Sequence, residues 1–235
     1  MMINHNRVKV INTLIIQIFL MSVLMLVACT DRSRSVLFRN ENLENVQEGS
    51  MNNCLKNIFT DNEQFIFVED GNGKSMFVSD IPNTFQNDDP YLKIMNFAVV
   101  DLDRDGSEEI VLKVNGVAGD MGGNVIFHEI CGKVYAYRTN SRTLLSIKTD
   151  GTYTYSGWVL TNDGCAVITA FDEKGYIEDR FTYESGDYNG ADTFVVDYKQ
   201  STEEGYNKAL SLQENKPDVD WHEFNDENIS KYIAR

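Results

Sequence analysis

Turn chemistry recurs through the second half of this chain about every 10–12 residues, a spacing that leaves room for short strands and little else. Cys131-Gly132-Lys133, Thr149-Asp150-Gly151, Asn162-Asp163-Gly164 and Glu173-Lys174-Gly175 each interrupt runs of β-branched and aromatic residues. The strands predicted are 94–100, 109–115, 124–130, 133–139, 143–148, 153–160, 165–171, 176–184 and 193–198. An earlier hairpin reads Phe65–Val68, a turn over Asp70-Gly71-Asn72-Gly73, then Met76–Val78, followed by a polar loop from Pro82 to Pro90. Helices are expected only near the two ends. One runs from about Glu48 to Thr60, with Met51, Leu55 and Ile58 on one face. A second covers Thr202–Glu214 and is stopped by Pro217. A short last helix, Glu227–Ala234, is capped by Asn225 or Asp226. The fold class is mainly β, a β-meander or a partial-propeller-like curved sheet flanked by short N- and C-terminal helices. At 235 residues the chain is too short for a full propeller of four-stranded blades with helices at both ends.

The first 28 residues are set aside as an address. Arg7 and Lys9 precede a 15-residue apolar run, Leu14–Ala28, interrupted only by Gln17 and Ser22. The run ends in Leu26-Val27-Ala28-Cys29, which resembles the lipobox of bacterial lipoproteins. That resemblance implies cleavage before Cys29, lipidation of Cys29, and attachment to the extracytoplasmic face of the cell membrane. An uncleaved anchor over Val10–Ala28 is the other reading; it has the same topology, but Asn12, Thr13 and Gln17 make it a poor span. Residues 29–46 then form the lipidated cysteine and a polar spacer, and 47–235 a single β-rich domain.

The whole chain carries 36 acidic against 21 basic residues, a net charge of −15. Such a surface repels phosphate backbones and speaks against nucleic-acid binding. With Cys29 assigned to lipid, Cys54, Cys131 and Cys165 remain. Export permits a disulfide, for which Cys131 with Cys165 is the more plausible pair, but three reduced thiols fit a domain of this size equally well. A monomer is expected, with a cell-envelope glycan or protein as a possible partner.

One segment carries chemistry. Asp101-Leu102-Asp103-Arg104-Asp105-Gly106-Ser107-Glu108-Glu109 places carboxylates at positions 1, 3, 5 and 9 of a loop, and glycine at position 6. Asp101, Asp103, Asp105 and Glu109, with the backbone carbonyl of Ser107, are the oxygen donors expected to wrap a hard cation, while Arg104 and Glu108 face solvent. Position 12 is Leu112, and the flanks Phe97–Val100 and Ile110–Val114 are strand-like, so a helix–loop–helix calcium site is rejected. Over about 18 residues the segment resembles the calcium loops of FG-GAP/VCBS-type repeats, in the single-copy form found in exported lipoproteins of Gram-positive bacteria. The resemblance implies a structural Ca2+ ion between two strands of a β-rich module.

Catalytic motifs with nucleophile, zinc or phosphate-loop spacing are absent from the sequence. His128 reads as a half-buried strand residue and His222 as surface packing beside the last helix. A glycan-directed hydrolase using two carboxylates is the alternative reading, with Asp120, Glu129, Asp172 and Glu173 as possible members. Asn115–Asn124 is expected to be a long glycine-rich hairpin connection, with a mobile binding loop next to the ion site as the other reading, and Glu184–Asp192 a solvated acidic turn, with a second weak calcium site as the other reading. Tyr135, Tyr137, Tyr153, Tyr155 and Trp158 are expected to pack in the core or across strands, or to form a glycan-stacking platform.

Overall fold

Strands with apolar residues at successive positions must be covered on both faces, because side chains alternate sides along a strand. Four consecutive strands meet that description: β3 (Lys93–Val100), β4 (Glu109–Gly116), β5 (Gly119–Ile130) and β6 (Lys133–Arg138). They form an antiparallel meander. Phe97, Ile110, Leu112, Val125, Phe127 and Ala136 point into one core, and Ala98, Val111, Ile126, Tyr135 and Tyr137 into another. The computed structural model describes residues 53–60, 62–85, 92–116, 119–157, 163–186 and 192–233.

A hairpin of β1 (Phe65–Glu69) and β2 (Asn72–Met76) extends the meander, with β1 running parallel to β6. On the far side, β13 (His222–Glu223) pairs with β3, giving a seven-stranded sheet in the order β13-β3-β4-β5-β6-β1-β2. The first core is closed by α1 (Asn53–Thr60), a 3-10 helix over Val78–Phe85 and the C-terminal α3 (Asp226–Tyr232), through Leu55, Ile58, Ile81, Phe85 and Ile229. Asn225 caps α3 by accepting from Asn228 N at 2.9 Å.

The second core is closed by another sheet. It comprises β7 (Ser146–Ile147), β8 (Thr152–Tyr155), β9 (Gly164–Asp172), β10 (Gly175–Gly186), β11 (Asp192–Val196) and β12 (Lys199–Ser201), in the order β12-β11-β10-β9-β8-β7. Tyr153, Tyr155, Ala166 and Ile168 face the first sheet. The amphipathic α2 (Glu203–Glu214) packs on β9, β10 and β11, and Gln213 Nε2 donates to Thr152 Oγ1 at 2.7 Å. Buried Lys148 ties the end of α2 to β7, donating from Nζ to Asp218 Oδ1 at 2.5 Å and to the Glu214 carbonyl at 3.0 Å.

The fold is therefore mainly β with short helices, but the strands divide into two face-to-face sheets rather than one curved meander, and neither sheet closes into a barrel. The first turn is tighter than the sequence suggests. Asp70 and Gly71 alone reverse the chain, with φ +51° and +74°, so Asn72 and Gly73 are already strand. The expected polar loop begins as the 3-10 helix, and residues 86–91 lie outside the described set. The glycine-rich 115–124 stretch is not a long connection: β4 reaches Gly116 and β5 starts at Gly119. A Cβ on Gly122 would fall 1.6 Å from the Val114 carbonyl oxygen, and one on Gly123 2.4 Å from that of Thr139, so these glycines permit strand contact. Met51, Trp158 and residues 187–191 lie outside the described set, as does the whole N-terminal segment. No disulfide joins Cys54, Cys131 and Cys165. Cys165 is buried in β9, whereas Cys131 sits exposed in the β5–β6 turn.

The β7–β8 turn docks against the start of the acidic loop. Gly151 has φ +78°, and a Cβ there would lie 2.6 Å from the Asp101 carbonyl oxygen and 3.0 Å from that of Leu102. Gly151→Ala is expected to lower stability by about 2 kcal/mol, combining a left-handed backbone with a steric clash. Urea midpoints of the two proteins in detergent micelles check this, and equal midpoints would contradict it.

Candidate metal centre

Val100 closes β3 opposite Glu109, which opens β4, so the acidic loop is the connection between two central strands. Left-handed residues turn it: Arg104 at φ +62° and Gly106 at φ +91°. Arg104 bears that conformation while its Nε donates to the Asp150 carbonyl at 2.8 Å, which anchors the loop to the second sheet. Lys216 Nζ lies 2.8 Å from Asp150 Oδ2, so the same turn is also tied to the segment after α2.

The loop's aspartates organise its backbone. Asp101 Oδ2 accepts from Gly106 N at 3.0 Å, Asp103 Oδ1 from Asp105 N at 3.3 Å, and Asp105 Oδ1 from Ser107 N at 2.7 Å. Asp101 Oδ1 is buried and has no hydrogen-bond partner. One carboxylate oxygen each from Asp101, Asp103 and Glu109 lies within 4.8 Å of the others, a spacing one cation can bridge. Asp105 is exposed and stands outside that set, while Ser107 is half-buried beside it.

Glu109 is the unusual member, because its side chain is only 1% exposed. It shares the face of Val111, the face turned toward the second sheet. Its Oε2 accepts from Leu102 N at 2.6 Å and its Oε1 lies 2.8 Å from His128 Nδ1. His128, on the neighbouring strand β5, stacks on Phe171 of β9 with ring centroids 4.2 Å apart. The cluster thus sits where the two sheets meet, with its carboxylates from the first sheet and packing from both.

Burial raises the carboxyls of Asp101, Asp103 and Glu109, and the charge of neighbouring aspartates, Asp105 among them, adds to the effect. Asp103 rises to about 6, and Glu109 rises well above the usual carboxylate range. Burial lowers His128 against the pull of the surrounding carboxylates. Burial therefore disfavours the charged form of both partners, and a cation is one way to compensate an ionised Glu109.

The spacing of the motif identifies the three converging carboxylates, but it does not identify His128. That residue lies 19 positions beyond Glu109 and reaches it only through strand pairing. His222 pairs in β13 and stacks on Tyr232 at 3.5 Å. Two of the candidate hydrolytic carboxylates cap their own hairpin turns: Glu129 accepts from Gly132 N, and Asp172 from Lys174 N and Gly175 N. Glu173 is exposed at the tip of that second turn, and Asp120 lies in β5 with its side chain outside the described set. Tyr135, Tyr137, Tyr153 and Tyr155 are buried between the sheets. Comparison of the chain with family models, curated proteins and solved structures gives no match.

A carboxyl raised by folding contributes stability that is complete below its unfolded value near 4 and is lost as pH rises through its folded value near 6. Metal-free wild-type protein should therefore lose stability relative to Asp103→Asn between pH 4 and pH 6. Urea midpoints in resin-treated buffer across that range measure the difference, and parallel profiles would contradict it.

Proposed function

We propose that this chain is an exported, membrane-tethered lipoprotein whose β-rich domain holds one structural Ca2+ ion and serves as a non-catalytic binding or envelope-scaffold module. The observation that carries the reading is the convergence of Asp101 and Asp103 on Glu109, a carboxylate almost wholly withdrawn from water. Hard oxygen donors at this density suit calcium, with Asp105 and the Ser107 carbonyl as further donors. The bound ion compensates charge that the fold otherwise has to hold as protonated carboxyls. The likeness to FG-GAP/VCBS-type loops supports the same ion, and rests on the loop residues alone.

The missing twelfth-position carboxylate places the affinity on the order of 10⁻⁴–10⁻³ M, as in extracellular modules. At ~2 mM calcium and a Kd of ~0.2 mM, binding stabilises the fold by roughly 1.4 kcal/mol. The melting temperature of the full chain in detergent micelles should then rise by about 3–6 °C between chelator and ~2 mM calcium. The Asp103→Ala/Asp105→Ala double variant should show no rise. No response of the wild type at ~10 mM would remove the calcium reading.

The address is tested separately. Cys29 follows the apolar run Leu14–Ala28 directly, as lipid attachment at Cys29 requires. In a Gram-positive host, wild-type protein should be recovered from the membrane as a mature chain that starts at diacylated Cys29. Cys29→Ser should accumulate as the uncleaved precursor, and mass spectrometry of the N-terminal peptide separates the two. An unmodified Cys29 in an intact wild-type chain would instead establish the uncleaved anchor.

A further inference from the structure

Glu109 has two hydrogen-bond partners, and they differ in where they come from. Leu102 N, which donates to Oε2 at 2.6 Å, belongs to the acidic loop itself. His128 Nδ1, 2.8 Å from Oε1, belongs to the core strand β5. The ladder of β4 and β5 sets Ile110 opposite Phe127, and one step further along this antiparallel pair Glu109 and His128 face each other. On its other edge β5 pairs with β6, where Tyr135 stands opposite His128. The imidazole is thus carried by a strand bonded on both edges, and Phe171 of β9 stacks on its ring with an interplanar angle of 17°.

Acid–base chemistry fixes the direction of the second bond. A carboxylate that ligates a cation carries no proton and can only accept hydrogen bonds. Beside a ligating Glu109, the contact to Oε1 is therefore a hydrogen bond only if His128 Nδ1 carries the hydrogen. Other donors of the loop are engaged elsewhere. Arg104, its one cation, bonds to the Asp150 carbonyl, and the N–H groups of Asp105, Gly106 and Ser107 go to aspartate side chains. Held through both oxygens, Glu109 keeps one orientation toward Asp101 and Asp103, whose carboxylate oxygens lie within 4.8 Å of its own.

We infer that His128 is a positioning residue of the proposed calcium site: its Nδ1–H holds Oε1 of Glu109, so that the carboxylate already faces Asp101 and Asp103 before an ion binds. This role rests on the calcium reading of the same loop, and it falls to a residue that the loop motif does not contain. Position 12 of the loop is Leu112, so no bidentate carboxylate follows to close the site, and the orientation of Glu109 matters the more for affinity. A ligand held in place beforehand loses little freedom when the ion binds. Outer hydrogen bonds of this kind orient metal ligands generally, and their loss weakens metal binding by roughly 10–100-fold.

Two variants separate the hydrogen bond from the packing. His128→Asn keeps an N–H donor at the Nδ1 position and loses the ring, whereas His128→Phe keeps a ring against Phe171 and loses the donor. Calcium titrations of the isotopically labelled full chain in detergent micelles, followed by NMR chemical shifts, give the affinities. Urea midpoints in chelator give the metal-free stabilities. His128→Phe should bind calcium about tenfold or more weakly than wild type, and His128→Asn should stay within about threefold. That order should hold although His128→Asn, without the stacked ring, is the less stable of the two in chelator. Affinity of His128→Phe equal to wild type, or of His128→Asn no tighter than His128→Phe, would overturn the inference while leaving the calcium reading intact. If either variant fails to fold, the nitrogen spectrum of histidine-labelled wild type decides: Nδ1 of His128 should carry a hydrogen in the calcium-saturated protein, and a bare Nδ1 would overturn the inference. A wild type that takes up no calcium at ~10 mM would remove the calcium reading, and the role of His128 with it.

Discussion

A carboxylate buried between two sheets has to be neutralised, and Glu109 is held where little except a proton or a cation can do it. Its two oxygens are fixed by the Leu102 amide and by His128, and its nearest charged neighbours are the carboxylates of Asp101 and Asp103. The surrounding architecture converges on this arrangement. The β3–β4 loop is folded by its own aspartates, closed by Gly106, and clamped from the second sheet through Arg104, Asp150 and Gly151. His128 is aligned by stacking on Phe171 of that same sheet. Occupancy of the cluster and packing of the two sheets are therefore one coupled equilibrium, in which anything that binds the folded cluster also stabilises the sheet–sheet interface.

The motif and the strand content were legible in the sequence because both are local. Positions 1, 3, 5 and 9 of the acidic loop, and the alternation of Val, Ile, Tyr and Phe around it, depend on neighbours within a few residues. Helices α2 and α3 were legible too, with Thr202 and Asn225 serving as side-chain caps. What the sequence concealed depends on pairing over distance. A near-continuous run of strands gives no sign of where one sheet ends and the next begins, and the break falls between β6 and β7. Strand β13 consists of two residues whose pairing with Phe97 and Asn96 has no local signature. The glycines at 122 and 123 read as loop because glycine commonly marks one, whereas here they admit neighbouring backbone at distances that a Cβ forbids. His128 carries the same lesson for the site: its neighbours Phe127 and Glu129 place it on a strand, but only the register with β4 brings it to Glu109.

At the meeting of the sheets, the proposed calcium ion would compensate buried charge and couple the packing of one sheet to the other. A lipid tether at Cys29 would present the domain outside the membrane, where millimolar calcium is available to a site of modest affinity.

The most direct test of the central claim is a crystal structure of the protein grown with calcium, with anomalous scattering used to locate the ion. The account predicts one peak within about 2.3–2.6 Å of carboxylate oxygens from Asp101, Asp103 and Glu109. An empty cluster at ~10 mM calcium, or an ion held elsewhere, would contradict it.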